Sequence, residues 1–348
     1  MLEIDGGYGS GGGQILRTAL ALSILTKKPF KLKNIRAKRE NPGLRPQHLA
    51  CINFATKLTN AYIENAFVGS KEIVFKPRGF DIGIKKIDIG TAGSISLVLQ
   101  TLMPALIEKE NFSIQIIGGT DVKGAPPIDY IKFVLLGLLE KIGYKAEIDI
   151  IRRGFYPKGG GIVNFRLLSS KLNPYNFLEK GKLEYIKGNI AVSKDLEKRK
   201  VAERIQEYAI NYLRDNFKGI EIEINKEYDK TFSPGAVFCL WLKTKNSILG
   251  ASSLGEPKKS SEEMAKEAVE ALLKEVRGVV DSHAADQIMP FLAFIAFKNR
   301  QEIEFKTSEI TEHAKTNAFI IEKFLPVKFD INEDTVTIKV KKFKIDKN

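Results

Sequence analysis

Residues 311–326 read TEHAKTNAFIIEKFLP. Ala314, Ala318, Ile321 and Leu325 recur at helical spacing, which predicts a helix with one buried face. Thr311 is placed to cap its start and Pro326 to stop it. Strand-like runs flank this helix at 302–306, 327–330 and 335–340, and an apolar helical run at 281–297 precedes them. The order is helix, strand, helix, strand, strand. It can be read twice more, around helical runs at 14–26 and 46–59 and again at 94–107 and 128–142. Units of roughly 70 to 90 residues are too long for a thin solenoid, so the repetition predicts packed α/β lobes.

Residues 182–280 interrupt the pattern. They hold strand-like runs and two highly charged helical runs, at 196–217 and 260–277. The expected architecture is therefore α/β (α+β): a main repeat domain of residues 1–181 and 281–348, with a small α/β domain inserted at 182–280.

The bulk numbers narrow the class. Apolar residues make up 43% of the 348, enough for a sizeable core. No run of about 18 apolar residues predicts a membrane span. The first residues, MLEIDGGYGS, lack the basic and apolar regions of a signal peptide. Cys51 and Cys239 have no CxxC partner, and with three histidines in all a zinc cluster is not expected; a reducing, cytoplasmic setting fits. The formal net charge of +13 suits a polyanion such as nucleic acid, although lysine enrichment also serves thermostability and solubility.

Several stretches carry candidate chemistry. His313 falls in the first turn of the predicted helix, where free N–H groups and the dipole favour anions and a neutral imidazole. It is either a nucleophile beside a phosphate site or a surface residue near a cap. DGGYGSGGGQILR, at 5–17, satisfies GxGxxG between a strand and a helix, but the next strand ends in Ile35 and Arg36 without the ribose-binding carboxylate, and no GK[ST] follows. What remains is a generic anion site, or a plain turn, with Gln14 and Arg17 just inside the helix. IRAKRENPGLRPQH gathers Arg36, Lys38, Arg39 and Arg45, which can grip phosphates or form a solvated basic loop; His48 reads as a capping or packed residue. Gln100 is a polar side chain in an apolar helix. RRGFYPKGGG offers Phe155 and Tyr156 for base stacking or for a buried pair. In DSHAADQ, Asp281 or Ser282 can cap a helix, Asp286 and Gln287 can bond a ribose and a base, and His283 can pack on the base.

Together with GTAGSISLVLQT, GGTDVKGAPP and HAKTNAFIIEKFLPV, these segments resemble, in family order, the RNA 3′-terminal phosphate cyclases. The resemblance covers nearly the whole chain outside the insert. It implies a fold similar to that of the enolpyruvyl transferases. It also implies a reaction: ATP and a divalent metal (Mg or Mn) activate an RNA 3′-phosphate end, a histidine takes AMP, AMP passes to the phosphate, and the 2′-hydroxyl displaces it to leave a 2′,3′-cyclic phosphate. By the same resemblance His313 is the nucleophile. Gln100 and the run His283, Ala284, Ala285, Asp286 and Gln287 contact ATP, and Arg17, Arg36, Arg39 and Gln47 handle phosphate or substrate. The family motif usually reads GEGGGQ, with its glutamate on the metal; here Ser10 stands there, leaving Ser10 and Gln14 as weak neutral ligands.

Two other functions compete. A binding-only relative in RNA or ribosome biogenesis is motivated by the charge and Ser10, and a nicotinamide-dependent enzyme by GxGxxG alone. Oligomeric state is not readable from the sequence. Ser10→Glu is expected to raise label incorporation from α-labelled ATP at low metal concentration; no rise would mean that the metal is held elsewhere or that Ser10 suffices.

Overall fold

Each pass of the pattern folds into a small sheet with its helices on one face. This computed structural model describes residues 1–9, 11–80 and 83–342. The first unit contains β1 (Leu2–Asp5), α1 (Gln14–Thr26), β2 (Phe30–Lys33), α2 (Pro46–Thr59), β3 (Tyr62–Glu64) and β4 (Ile73–Lys76). Its sheet runs β1-β2-β4-β3, with β1 parallel to β2 and the other pairs antiparallel. The second unit contains β5 (Lys86–Asp88), α3 (Ile95–Ala105), β6 (Phe112–Gly118), a π-helical stretch (Tyr130–Leu135) running into α4 (Leu136–Lys141), β7 (Tyr144–Arg152) and β8 (Gly161–Ser170). Its order, β5-β6-β8-β7, repeats the first unit strand for strand, again with one parallel pair.

Residues 183–275 build a sheet and a hydrophobic cluster of their own. Here β9 (Leu183–Ser193), α5 (Val201–Asn216), β10 (Glu221–Asp229), β11 (Ala236–Thr244), β12 (Ile248–Leu254) and α6 (Ser261–Glu275) follow in turn, with sheet order β10-β9-β11-β12. The charged run expected as one helix from 196 divides: Lys194–Arg199 forms a 3-10 turn, and Lys200, at φ 50°, sits between it and α5.

The third unit has α7 (Ser282–Asn299), β13 (Ile303–Lys306), α8 (Glu312–Phe324), β14 (Val327–Asn332) and β15 (Thr337–Lys342), in sheet order β13-β15-β14. Its leading strand shrinks to a single parallel bridge, Val280 to Thr307. The full unit is therefore strand, helix, strand, helix, strand, strand. The sequence reads a short strand at Leu2–Asp5, where β1 lies, whereas β5, with three residues, is too short to show a period.

The helices lie innermost. α1, α3 and α7 are buried on nearly every side, and α1 packs on α2, α3 and α8. A helix that is apolar all round must be covered all round. Strands such as β6 alternate buried and more exposed residues, leaving one sheet face open. One hydrophobic cluster runs through all three units.

Residues 183–275 join the second unit through close packing and a buried charge network. Phe133 stacks on Trp241 with ring centroids 4.3 Å apart. Gly250 of β12 comes so near the π-helical stretch that an added Cβ would lie 2.5 Å from Val134 Cγ2. Arg153, 1% exposed, pairs with Asp129 (2.8 Å), Asp121 (3.4 Å) and, across the junction, Glu227 (2.6 Å). Removing one member of a buried network leaves uncompensated charge. Arg153→Ala is expected to cost about 3–5 kcal/mol of stability, read as a lowered midpoint in denaturant melts; a loss within the range of ordinary surface substitutions would overturn this role.

Candidate functional site

Three helix starts and one mid-helix side chain converge on a cleft. Gln14 opens α1 after the glycine turn, His283 and Asp286 lie in the first turns of α7, His313 in the first turn of α8, and Gln100 comes from α3. The α8 start follows from local chemistry: Thr311 is extended, and its Oγ1 accepts from Ala314 N at 3.1 Å. The helix stops at Phe324, with Leu325 extended before Pro326, as the residue before a proline prefers. Asp281 caps α7: its Oδ1 accepts from Ala284 N (2.8 Å), His283 N (3.1 Å) and the Tyr130 hydroxyl (2.5 Å), while its Oδ2 accepts from Gly250 N (3.0 Å).

The cleft, of about 350 Å³, is lined by Gln14, Arg17, Gln100, His283, Asp286, Gln287 and His313, with Gly124–Pro126 of the loop before the π-helical stretch and Ser252 of β12 on the other side. At its centre the Gln14 carboxamide lies between two partners. Its Nε2 donates to Asp286 Oδ2 and to the His313 carbonyl (3.2 Å), and its Oε1 meets His313 Nδ1. When Asp286 is ionised it only accepts, so the amide nitrogen then faces Asp286 and the oxygen faces the imidazole. His313 Nδ1 therefore carries the proton, and Nε2 holds a free lone pair. Nε2 has no hydrogen-bond partner among the described residues.

The surroundings keep that imidazole neutral. Burial, then the positive charges of Arg17 and Arg39, lower the His313 pKa below the ordinary histidine value. Asp286 is pushed up to about 7, chiefly by burial, against the pull of neighbouring His283 and Arg17. The frame around it is polar and satisfied: Asn317 Nδ2 donates to the Asp286 carbonyl at 2.7 Å, and Thr18 Oγ1 donates to Asn317 Oδ1 at 2.7 Å, tying α1, α7 and α8 together. Sequence reading did not single out Thr18 or Asn317. Their signal is faint: a buried threonine on α1, and an asparagine one helical turn after His313.

The remaining residues fall into distinct places. Ala284 and Ala285 turn into the core at 0% exposure. Arg39 is exposed, near enough to act on His313, and Arg36, half-buried, lies close to Arg39 and Arg45. Gln47 lines a neighbouring groove instead of the cleft. His48 is a packed cap: it is 2% exposed, its Nδ1 accepts from Arg45 N at 2.9 Å, and burial with the nearby arginines lowers its pKa to about 3. Gly13 lies against it, where a Cβ would be 2.2 Å from His48 Nε2, so no side chain fits.

Two groups implied by the sequence can be tested against the residues. Gln287 Oε1 is a buried acceptor in the cleft without a donor, which fits an N–H group of a bound ligand such as a nucleobase. For a metal, Ser10 lies outside the described residues, and Gln14 has both ends of its amide engaged. Among the described residues no group of three or more His, Cys, Asp or Glu side chains forms a cage. No described helix is long and apolar enough to cross a membrane.

Comparison with known proteins places the chain in a family. The family model described as RNA 3′-terminal phosphate cyclase matches residues 8–331. Proteins of that name are similar over nearly their whole length: 44% identity in Korarchaeum cryptofilum, covering 94% of this chain and 93% of the relative; 43% in Pyrococcus furiosus, covering 95% of each; and 42% in Caldivirga maquilingensis, covering 98% and 97%. The chain belongs to the RNA 3′-terminal phosphate cyclase family.

Proposed function

We propose that the chain converts an RNA 3′-terminal phosphate to a 2′,3′-cyclic phosphate with ATP, through an adenylylated His313. Family membership supplies the general activity. The observation that supports the histidine step is the Asp286–Gln14–His313 arrangement, which leaves Nε2 bare at the mouth of a cleft.

In the first step His313 Nε2 attacks the α-phosphorus of ATP. A nitrogen–phosphorus bond forms, the bond to the β-phosphate oxygen breaks, and pyrophosphate leaves. Gln14 Oε1 holds the Nδ1 proton and so steadies the positive charge that grows on the ring, while Asp286 fixes the amide that does so. Arg17 faces the phosphates, and Gln100 and Gln287 face the base. In the second step an oxygen of the RNA 3′-phosphate attacks the same phosphorus, and neutral imidazole departs. In the third the 2′-hydroxyl attacks the 3′-phosphorus, loses its proton and expels AMP. A divalent ion, expected from the family resemblance, would offset phosphate charge when bound.

His313→Ala is expected to abolish acid-labile label from α-labelled ATP; unchanged labelling would remove His313 as the nucleophile. Retention of RNA without any cyclic product would favour the binding-only alternative.

The two pKa shifts separate on the pH axis. Burial and the nearby arginines lower the His313 pKa below the ordinary histidine value, so as pH falls it gains its proton after Asp286 does. Asp286, at about 7, loses its charge first as pH falls, and with it the constraint on the Gln14 amide. The labelling rate should thus fall as pH drops through about 7, and Asp286→Asn should flatten that limb while lowering the plateau about tenfold, the value of one orienting hydrogen bond. The same raised pKa acts on stability with the opposite sense. The folded state holds the extra proton between the ordinary value of 3.8 and about 7, so this carboxyl's contribution falls as pH rises through that window. Labelling rates and denaturation midpoints of both proteins across the window check the pair; an unchanged acid limb in Asp286→Asn would refute the role of Asp286.

A further inference from the structure

A second concavity, of about 930 Å³, adjoins the cleft. The two share the loop after β6, with Asp121–Lys123 facing the groove and Gly124–Pro126 the cleft. They also share the end of β12, with Ser252 on one side and Leu254 on the other. The starts of α2 and α3 open onto the groove through Arg45–Gln47 and Thr91–Ser94.

Its wall carries one exposed aromatic side chain, and a second stands beside it, that folding alone does not explain. In the segment RRGFYPKGGG the two aromatics separate: Phe155 is 2% exposed and packs with Ala191 and Val237, whereas Tyr156 lines the groove at 75% exposure. Phe232, from the loop between β10 and β11, stands close to the same segment. Its ring lies over Gly160, where a Cβ would meet it at 2.3 Å, and the Arg152 guanidinium covers it at 4.3 Å, yet it stays 53% exposed. An exposed tyrosine on the groove, a second ring beside it under the Arg152 guanidinium, and Arg45 at the groove's other end match the way single-stranded nucleic acid is bound: bases stack on aromatic faces and phosphates follow positive charge.

Charge also links the groove to the nucleophile. Arg39 acts on His313, Arg36 lies near Arg39 and Arg45, and Arg45 lines the groove. None of Arg17, Arg36, Arg39 and Arg45 forms an ion pair among the described residues.

We propose that this groove holds the single RNA strand on the 5′ side of the reacting 3′ end, with bases stacked on Tyr156 and Phe232 and the backbone beside Arg45 and Gln47. The inference rests on the cyclase reading of the cleft. It assigns to residues 152–160 and to Phe232 a part in substrate grip that lies outside the chemistry at His313. Both rings are exposed, so truncating them leaves the core intact.

The test compares 3′-phosphorylated RNA as a dinucleotide and as a longer single strand, using wild type and the Tyr156→Ala, Phe232→Ala double variant. In the wild type KM should fall as the strand lengthens. In the double variant KM for the long strand should rise about 10-fold to 100-fold, the effect of losing one or two stacked bases. KM for the dinucleotide, kcat and labelling of the protein by ATP should not change. Tyr156→Trp with Phe232→Tyr should restore the length dependence. An unchanged long-strand KM in the double variant would overturn the groove assignment. Absence of ATP labelling in the wild type would instead overturn the reading of the cleft, and fluorescence anisotropy of a labelled long strand would then judge the groove by itself.

Discussion

A carboxamide has one donating end and one accepting end, and at Gln14 this asymmetry governs the site. Asp286 on α7 demands the donor, so His313 on α8 receives the acceptor. Each of the three residues comes from the start of a different helix, and the Thr18–Asn317–Asp286 chain holds those starts at one separation. That arrangement needs α1, α7 and α8 to be close-packed. It explains why the helices of the three units lie inside and the sheets outside, with the site at the helix ends where backbone N–H groups point outward.

The residues between Leu183 and Glu275 meet this frame at two charged points of different character. Arg153 is surrounded by carboxylates from both sides of the junction, and the attraction is strong because water is excluded. Asp281 joins three parts with one carboxylate: it caps α7, accepts from Tyr130 in the second unit and accepts from Gly250 in β12. Through it the position of the β12 sheet bears on the first turn of α7, where His283 lines the cleft. The site wall and the groove wall are thus parts of one rigid junction.

Much of this could be read in the sequence, and the misses have physical causes. Helices such as α1, α2 and α8 show themselves by apolar period and by their caps, and the twofold match of α1–β4 with α3–β8 follows from order alone. β5 escaped because three residues carry no period, and the third unit's leading strand because it is one bridge. At the site, His313, Gln14, Gln100 and Asp286 stood out as polar residues at helix starts or in apolar runs. The bond between Gln14 and Asp286 did not, because it spans 272 residues and depends on how two helices pack. Ala284 and Ala285 stood in the ligand-facing run by sequence position, but helical geometry turns them to the core. The pairing of Phe155 with Tyr156 was left open between core and surface, and the structure gives one to each.

Arg36, Arg39 and Arg45 form no ion pair among the described residues, in a chain of net charge +13. In water such charges hold a cloud of small anions, and an RNA strand holds a denser cloud of cations. When the strand settles against them both clouds disperse, and the freed ions gain translational entropy. On a single strand each phosphate neutralised makes log K fall by about 0.7 per decade of salt. On the proposed reading, the hold on the RNA end would be set by the ionic strength of the surroundings as well as by contact geometry, so the medium itself would tune how long a substrate stays.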